Sequence, residues 1–94
     1  MELDWQWVKR RYKDNPNSYT KNGNVFTVCK VSDSALFIDL PCGEQSVSRS
    51  NLEKAVQLIN RGLVISGPSD YKKLVYDERP AYAWAILRDF GFIE

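Results

Sequence analysis

Histidine is absent from this chain. That removes the side chain most often used for proton transfer near neutral pH, and the commonest metal ligand. Cysteine is scarce: Cys29 and Cys42 are too few for a cysteine zinc site. No phosphate loop, catalytic motif or metal-spaced carboxylate set occurs. An excess of either charge sign is missing as well. The net charge of +1 is spread as +2 over residues 1–24, −2 over 25–48 and +1 over 49–94. A duplex-DNA binder usually shows a stronger basic excess, so a nucleic-acid role would have to rest on a local patch. Residues 1–25 hold no apolar run of signal-peptide or membrane-spanning length. The expectation is a soluble cytoplasmic protein with no membrane, metal or cofactor among its partners. Repeats, linkers and low-complexity segments are lacking too.

What is present is a hydrophobic content of 44% and a charged content of 27% in 94 residues. This fits one small domain, residues 1–94, that buries a core without metal or disulfide staples. The order of local signals predicts an α+β fold: an N-terminal helix, a three-stranded antiparallel meander with 18–21 as a candidate fourth strand, then three C-terminal helices.

Residues 3–13 read as a helix with Trp5, Val8 and Tyr12 on one stripe; Leu3 and Trp7 fall on another side, beside Arg10 and Arg11. Asp14-Asn15-Pro16-Asn17 stops it. Asn22-Gly23 predicts a hairpin turn, and strands follow at 25–31, 35–40 and 45–49. Pairing Val31 with Ala35 sets Val28 opposite Ile38 and Phe26 opposite Leu40. Closing the next turn between Leu40 and Gln45 sets Ile38 opposite Val47. One face then collects Phe26, Val28, Leu36, Ile38, Leu40 and Val47. The other, with Val25, Thr27, Cys29, Val31, Phe37 and Asp39, is only partly polar, and the N-terminal helix is the nearest element to cover it. In this register Cys29 and Cys42 lie about 15 Å apart, beyond disulfide reach, so both thiols are expected free.

Ser50-Asn51-Leu52-Glu53 fits a capping box. The helix it opens carries Leu52, Ala55, Val56, Ile59 and Leu63 at core spacing, with Gly62 placed to end it. A short helix at 70–76 presents Tyr71, Leu74 and Val75. Pro80 starts the last helix, with Ala83, Ile86, Leu87 and Phe90 as its stripe, and Gly91-Phe92 suits a Schellman ending. Residues 81–87 (AYAWAIL) are apolar all round, which means cover on both sides or a face offered to a partner. Ile59, Leu74, Ile86, Leu87 and Phe90 join the sheet residues, Leu52 and Val56 in the expected core.

Three aromatics and four cations fall within nine residues: Trp5, Trp7, Lys9, Arg10, Arg11, Tyr12 and Lys13. Helical phase assigns Trp5 and Tyr12 to docking and leaves Trp7, Arg10 and Arg11 sharing one face. That group could anchor a protein contact, stack on a base and neutralise phosphate, or pack on the domain with solvated arginine stems. The last two helices invite a helix-turn-helix reading, but Pro80, Ala81, Tyr82, Ala83 and Trp84 offer almost no base-edge donors. Ser69 and Lys72 match an S-x-x-K spacing without the further motifs such enzymes need, so Ser69 reads as a cap. Ser46, Ser48 and Ser50 read as a solvated strand side, and the carboxylates as caps and solvated faces.

The expectation is a small non-enzymatic binding module acting through protein contact or self-association, with Trp7, Arg10, Arg11, Tyr82 and Trp84 as candidate contact residues. Nucleic-acid binding through the Trp/Arg patch and the C-terminal helical hairpin is the alternative. Large aromatics in excess of the deduced core motivate both readings.

Overall fold

The computed structural model describes residues 2–93. Helix α1 (Trp5–Asp14) precedes strands β1 (Asn17–Tyr19), β2 (Val25–Val31), β3 (Ala35–Leu40) and β4 (Gly43–Ser48), and helices α2 (Arg49–Asn60), α3 (Pro68–Val75) and α4 (Pro80–Asp89) follow. The strands form one antiparallel sheet in the order β1-β2-β3-β4. The fold is thus the expected α+β arrangement, with the candidate fourth strand formed at 17–19. Gly23, at φ +87°, supplies the left-handed residue that closes the β1–β2 turn.

Alternation along the strands puts Phe26, Val28, Leu36, Ile38 and Val47 on one buried face. The other face stays open: Val25 is exposed and Thr27 and Phe37 are only half-buried. Here the expectation for the first helix is corrected. Trp5, Val8 and Tyr12 enter the same core as the inner sheet face and α4, so α1 joins the helical layer and leaves the second face uncovered. The reason lies in polar satisfaction as well as area. Within this layer the Trp5 indole donates to the Ser32 carbonyl at 2.7 Å, and the Tyr12 hydroxyl donates to Asp89 at 2.9 Å. The outer face, carrying Lys30, Asp39 and Glu44, has no continuous apolar stripe to offer.

Two register details also differ. Val28 faces Ile38 as predicted, but Lys30 then faces Phe37 and Val31 faces Leu36, so Cys29 is an extra residue in a β-bulge. The bulge turns Val31 to the core side and sends Lys30 outward, where its ammonium sits 5.5 Å from the centre of the Phe37 ring. The β3–β4 hairpin is tighter by two residues on β4, with Leu40 opposite Gly43 and Leu36 opposite Val47. Only Pro41 and Cys42 remain in the loop, and Gly43 at φ +121° permits it. A shift of two preserves the facing of every side chain, so Val47 still points to the core. Both cysteines are free, as expected, and both are exposed.

Strand β4 runs straight into α2, and the cap is Ser48, whose hydroxyl accepts from the Asn51 amide at 3.3 Å. The Ser50–Glu53 box does not form, because the helix has already begun at Arg49; Glu53 pairs with Arg49 instead. α2 ends in a Schellman motif on Gly62, with the Leu63 amide bonding Leu58 O at 3.1 Å. Leu63 therefore lies beyond the helix and is exposed. α3 starts two residues early, at Pro68, with Gly67 at its N-cap. Ser69 is inside the first turn and caps nothing; Asp70 instead accepts from the Ser66 amide and hydroxyl at 3.1 and 2.6 Å. Those two bonds hold the Asp70 carboxyl below its usual range.

Ala83 to Leu87 are buried without interruption, so the all-round apolar helix is the covered kind. α4 packs against α3 and β1. Leu36, Ile38, Ile86 and Leu87 are fully buried; truncating any one to alanine costs about 2–5 kcal/mol. α4 also ends in a Schellman motif, its Phe92 amide bonding Leu87 O at 3.0 Å, as the Gly91-Phe92 pair predicted. Ahead of α4, buried Asp77 accepts from the Arg79 amide at 2.7 Å, from Asn51 at 3.1 Å and from Tyr71 at 3.5 Å. This carboxylate joins α2, α3 and α4, a structural role that a simple cap would not fill.

Candidate interaction surface

Asp4 caps α1, its side chain accepting from the amides of Gln6 and Trp7 at 3.0 and 3.3 Å. With Trp5, Val8 and Tyr12 turned inward, Trp7 is rotated about 200° away from Trp5 and points outward. Its side chain is 57% exposed. One edge is held: the ring meets Phe90 in a T-shaped contact at 5.5 Å, and Phe90 meets Tyr12 in another at 6.0 Å. The exposed indole is thus the outer member of an aromatic row rooted in the core.

The root is Asp89. Besides the Tyr12 bond, its carboxylate accepts from the Ser18 hydroxyl at 2.6 Å, with the guanidinium groups of Arg88 and Arg11 at 3.6 and 3.8 Å. Burial, followed by the charge and hydrogen bond of Asp89, pushes the Tyr12 phenol far above its ordinary pKa. Asp89 thereby ties α1, β1 and α4 together.

The four cations of the opening cluster divide in this setting. Lys9 pairs with Asp33, whose exposed carboxyl is held below its usual range by that hydrogen bond and charge. Arg11 lies 4.8 Å over the Tyr12 ring and donates to Asn15 O, besides facing Asp89. Arg10 and Lys13 are exposed and make no hydrogen bond or ion pair among the described residues. Of the predicted trio, then, Trp7 and Arg10 are open to a partner, while Arg11 supports the helix.

Tyr82 and Trp84 lie elsewhere. Tyr82 is half-buried with its ring edge against Phe26 at 5.1 Å. Trp84 is only 4% exposed, within the continuously buried Ala83–Leu87 stretch of α4. Lys21 and Arg88 lie 5.9 and 5.4 Å from its ring centre, and its indole N–H is buried without a hydrogen-bond partner. It belongs to the core, so an outer face cannot use it. The burial of Ala83, Trp84 and Ala85 likewise leaves the second helix of the C-terminal hairpin no free face for a groove.

Other exposed apolar groups escaped the sequence reading. Leu63 and Val64 border a groove of about 460 Å³ with Ile59, Ile65, Phe92 and Ile93. Tyr76 is 82% exposed, and it is the one non-glycine residue at positive φ among the described residues (φ 60°). It borders a polar groove of about 450 Å³ with Gln45, Ser46, Ser48, Asn51 and Arg79. One signal for Asp89 was legible. An acid in the last turn of a helix opposes the helix dipole, so its charge must be satisfied from another element.

No helix among the described residues is long and apolar enough to cross a membrane, and no group of three or more His, Cys, Asp or Glu side chains among them could hold a metal ion. The chain matches no family model, no curated protein and no solved structure.

Proposed function

We propose that this protein is a small non-enzymatic binding module that acts through protein contact, either with a partner or with a second copy, with Trp7 as its anchor and Arg10 as the adjacent charge. The observation that carries the reading is the 57% exposure of Trp7. A tryptophan presents up to about 250 Å². At about 25 cal/mol per Å², covering the exposed half would contribute about 3 kcal/mol to an association. The ring is also pre-oriented by Phe90, which lowers the entropy lost on contact. Tryptophan beside arginine is the composition that dominates interface hot spots.

The test compares wild type with Trp7→Ala and Arg10→Glu, using capture of binding proteins and sedimentation in parallel. The expected result is one defined partner, or a self-associated species, lost in Trp7→Ala and weakened in Arg10→Glu, with unchanged circular dichroism. Identical capture and mass in all three proteins would overturn the assignment. Salt-sensitive retention on nucleic acid, lost in Arg10→Ala, would replace protein contact by the nucleic-acid reading.

A further inference from the structure

We infer that strand β4 pairs with β4 of a second copy, antiparallel and centred on Ser46, to form a continuous eight-stranded sheet. This surface is separate from Trp7. The inference starts from the two edges of the sheet, which the chain treats differently. On β1, the Thr20 amide bonds Asn24 O, so the ladder alternation leaves the backbone groups of Asn17 and Tyr19 facing outward. One group of each is occupied: the Asn17 amide bonds Asn15 Oδ1, and Arg88 donates to Tyr19 O, while the Asn17 carbonyl and the Tyr19 amide have no protein partner among the described residues. That edge is three residues long and half occupied.

β4 is six residues long and unsealed. The Arg49 amide bonds Ser34 O at 2.9 Å, in the same register that sets Ala35 opposite Ser48. Alternation then assigns Gly43, Gln45 and Val47 to β3 and turns the backbone of Glu44, Ser46 and Ser48 outward. The Ser48 carbonyl opens α2, as an N-cap carbonyl does. The remaining outward amides and carbonyls have no protein partner among the described residues. β4 also carries no lysine, proline or bulge, three devices that commonly protect an edge.

The strand is complementary to itself. Centring on Ser46 sets Ser46 against Ser46 of the second copy and Glu44 against Ser48 of the second copy. Four backbone hydrogen bonds follow: Ser46 amide to Ser46 carbonyl in both directions, and Ser48 amide to Glu44 carbonyl in both directions. No like charges stand opposite each other, whereas a register centred on Glu44 would oppose two carboxylates. Space is available, since the polar groove runs along this edge. Tyr76, held over that groove in a left-handed conformation that costs a tyrosine energy, would cover the incoming strand.

The experiment is sedimentation at protein concentrations up to about 1 mM, the weak end of specific association. Wild type is expected at twice the 10.9 kDa chain mass. Ser46→Pro and Ser46→Lys are expected at the single-chain mass with unchanged circular dichroism, because the Ser46 amide faces away from β3 and its side chain lies on the open face of the sheet. Trp7→Ala should keep the β4 dimer and lose only a bound partner or larger assembly that Trp7 mediates, which separates this contact from the proposed anchor. In a Cys29→Ser, Cys42→Ser background, Ser46→Cys should form an intermolecular disulfide, its two Cα atoms lying about 5.5 Å apart. Glu44→Cys should not, being about 13 Å from its own copy. A wild type that stays at the single-chain mass, a dimer that survives both Ser46 variants, or cross-linking at 44 in place of 46 would overturn the inference.

Discussion

Replacing Asp89 with alanine should be among the most damaging single changes outside the apolar core. The carboxylate is only 10% exposed and accepts from Tyr12 at 2.9 Å and Ser18 at 2.6 Å. Hydrogen bonds to a charged acceptor contribute about 1.5–3 kcal/mol each. Both donors are buried, at 3% and 5% exposure, so truncation leaves two hydroxyls without partners. The sum is about 3–6 kcal/mol, a large share of the roughly 5–15 kcal/mol that holds a small domain together. Denaturant unfolding followed by tryptophan fluorescence measures it. The decisive comparison is Asp89→Ala in wild type and in a Tyr12→Phe, Ser18→Ala background. With no donors to orphan, the cost should fall to about 1–2 kcal/mol, a coupling only connected residues show. An equal cost in both backgrounds would refute the account of Asp89 as the tie between α1, β1 and α4.

Alkaline pH should destabilise the fold. Burial, with Asp77 next, pushes the Tyr71 phenol far above its ordinary pKa, as burial and Asp89 do for Tyr12. The folded state therefore holds protons that the unfolded chain releases near pH 10, and stability falls as pH rises beyond that point, by up to about 2.7 kcal/mol per pH unit for two groups. The slope in a pH series of denaturation curves should halve in Tyr71→Phe; an unchanged slope would count against it. Trp5→Phe should cost more than Trp84→Phe, because the first orphans the Ser32 carbonyl and the second removes a buried donor that has no partner. Paired thermal melts decide the order. Gly91→Ala, at φ +79° with open space around its Cβ position, should cost about 1 kcal/mol from backbone strain alone, and Gly91→Asn should recover part of it.

Much of the architecture was legible because each signal was local. The Asn22-Gly23 turn, the stop at Asn15-Pro16, Pro80 at a helix start and the Gly91-Phe92 ending depend on backbone preferences of neighbouring residues. Periodicity separated Trp5, Val8 and Tyr12 from Trp7, and that separation holds in three dimensions. The errors fell where two good local solutions competed. Ser48 and Ser50 could each cap α2, and the tighter β3–β4 loop decided for Ser48 by bringing the strand end forward. The bulge at Cys29 carried no mark in the sequence, since an extra strand residue is visible only against its partner strand.

The sequence by itself determined the order and type of the elements, the inner face of the sheet and the outward direction of Trp7. These follow from dihedral preference and from periods of 2 and 3.6 residues, which a chain carries without reference to distant contacts. Tertiary structure alone decided which layer α1 joins, which cations are free and which edge is open. Lys9 meets Asp33, Arg11 meets Asp89 and Arg88 meets the Tyr19 carbonyl of β1 across tens of residues of chain. A charge reads as available or spent only once its partner is in place, and folding, not spacing, brings that partner.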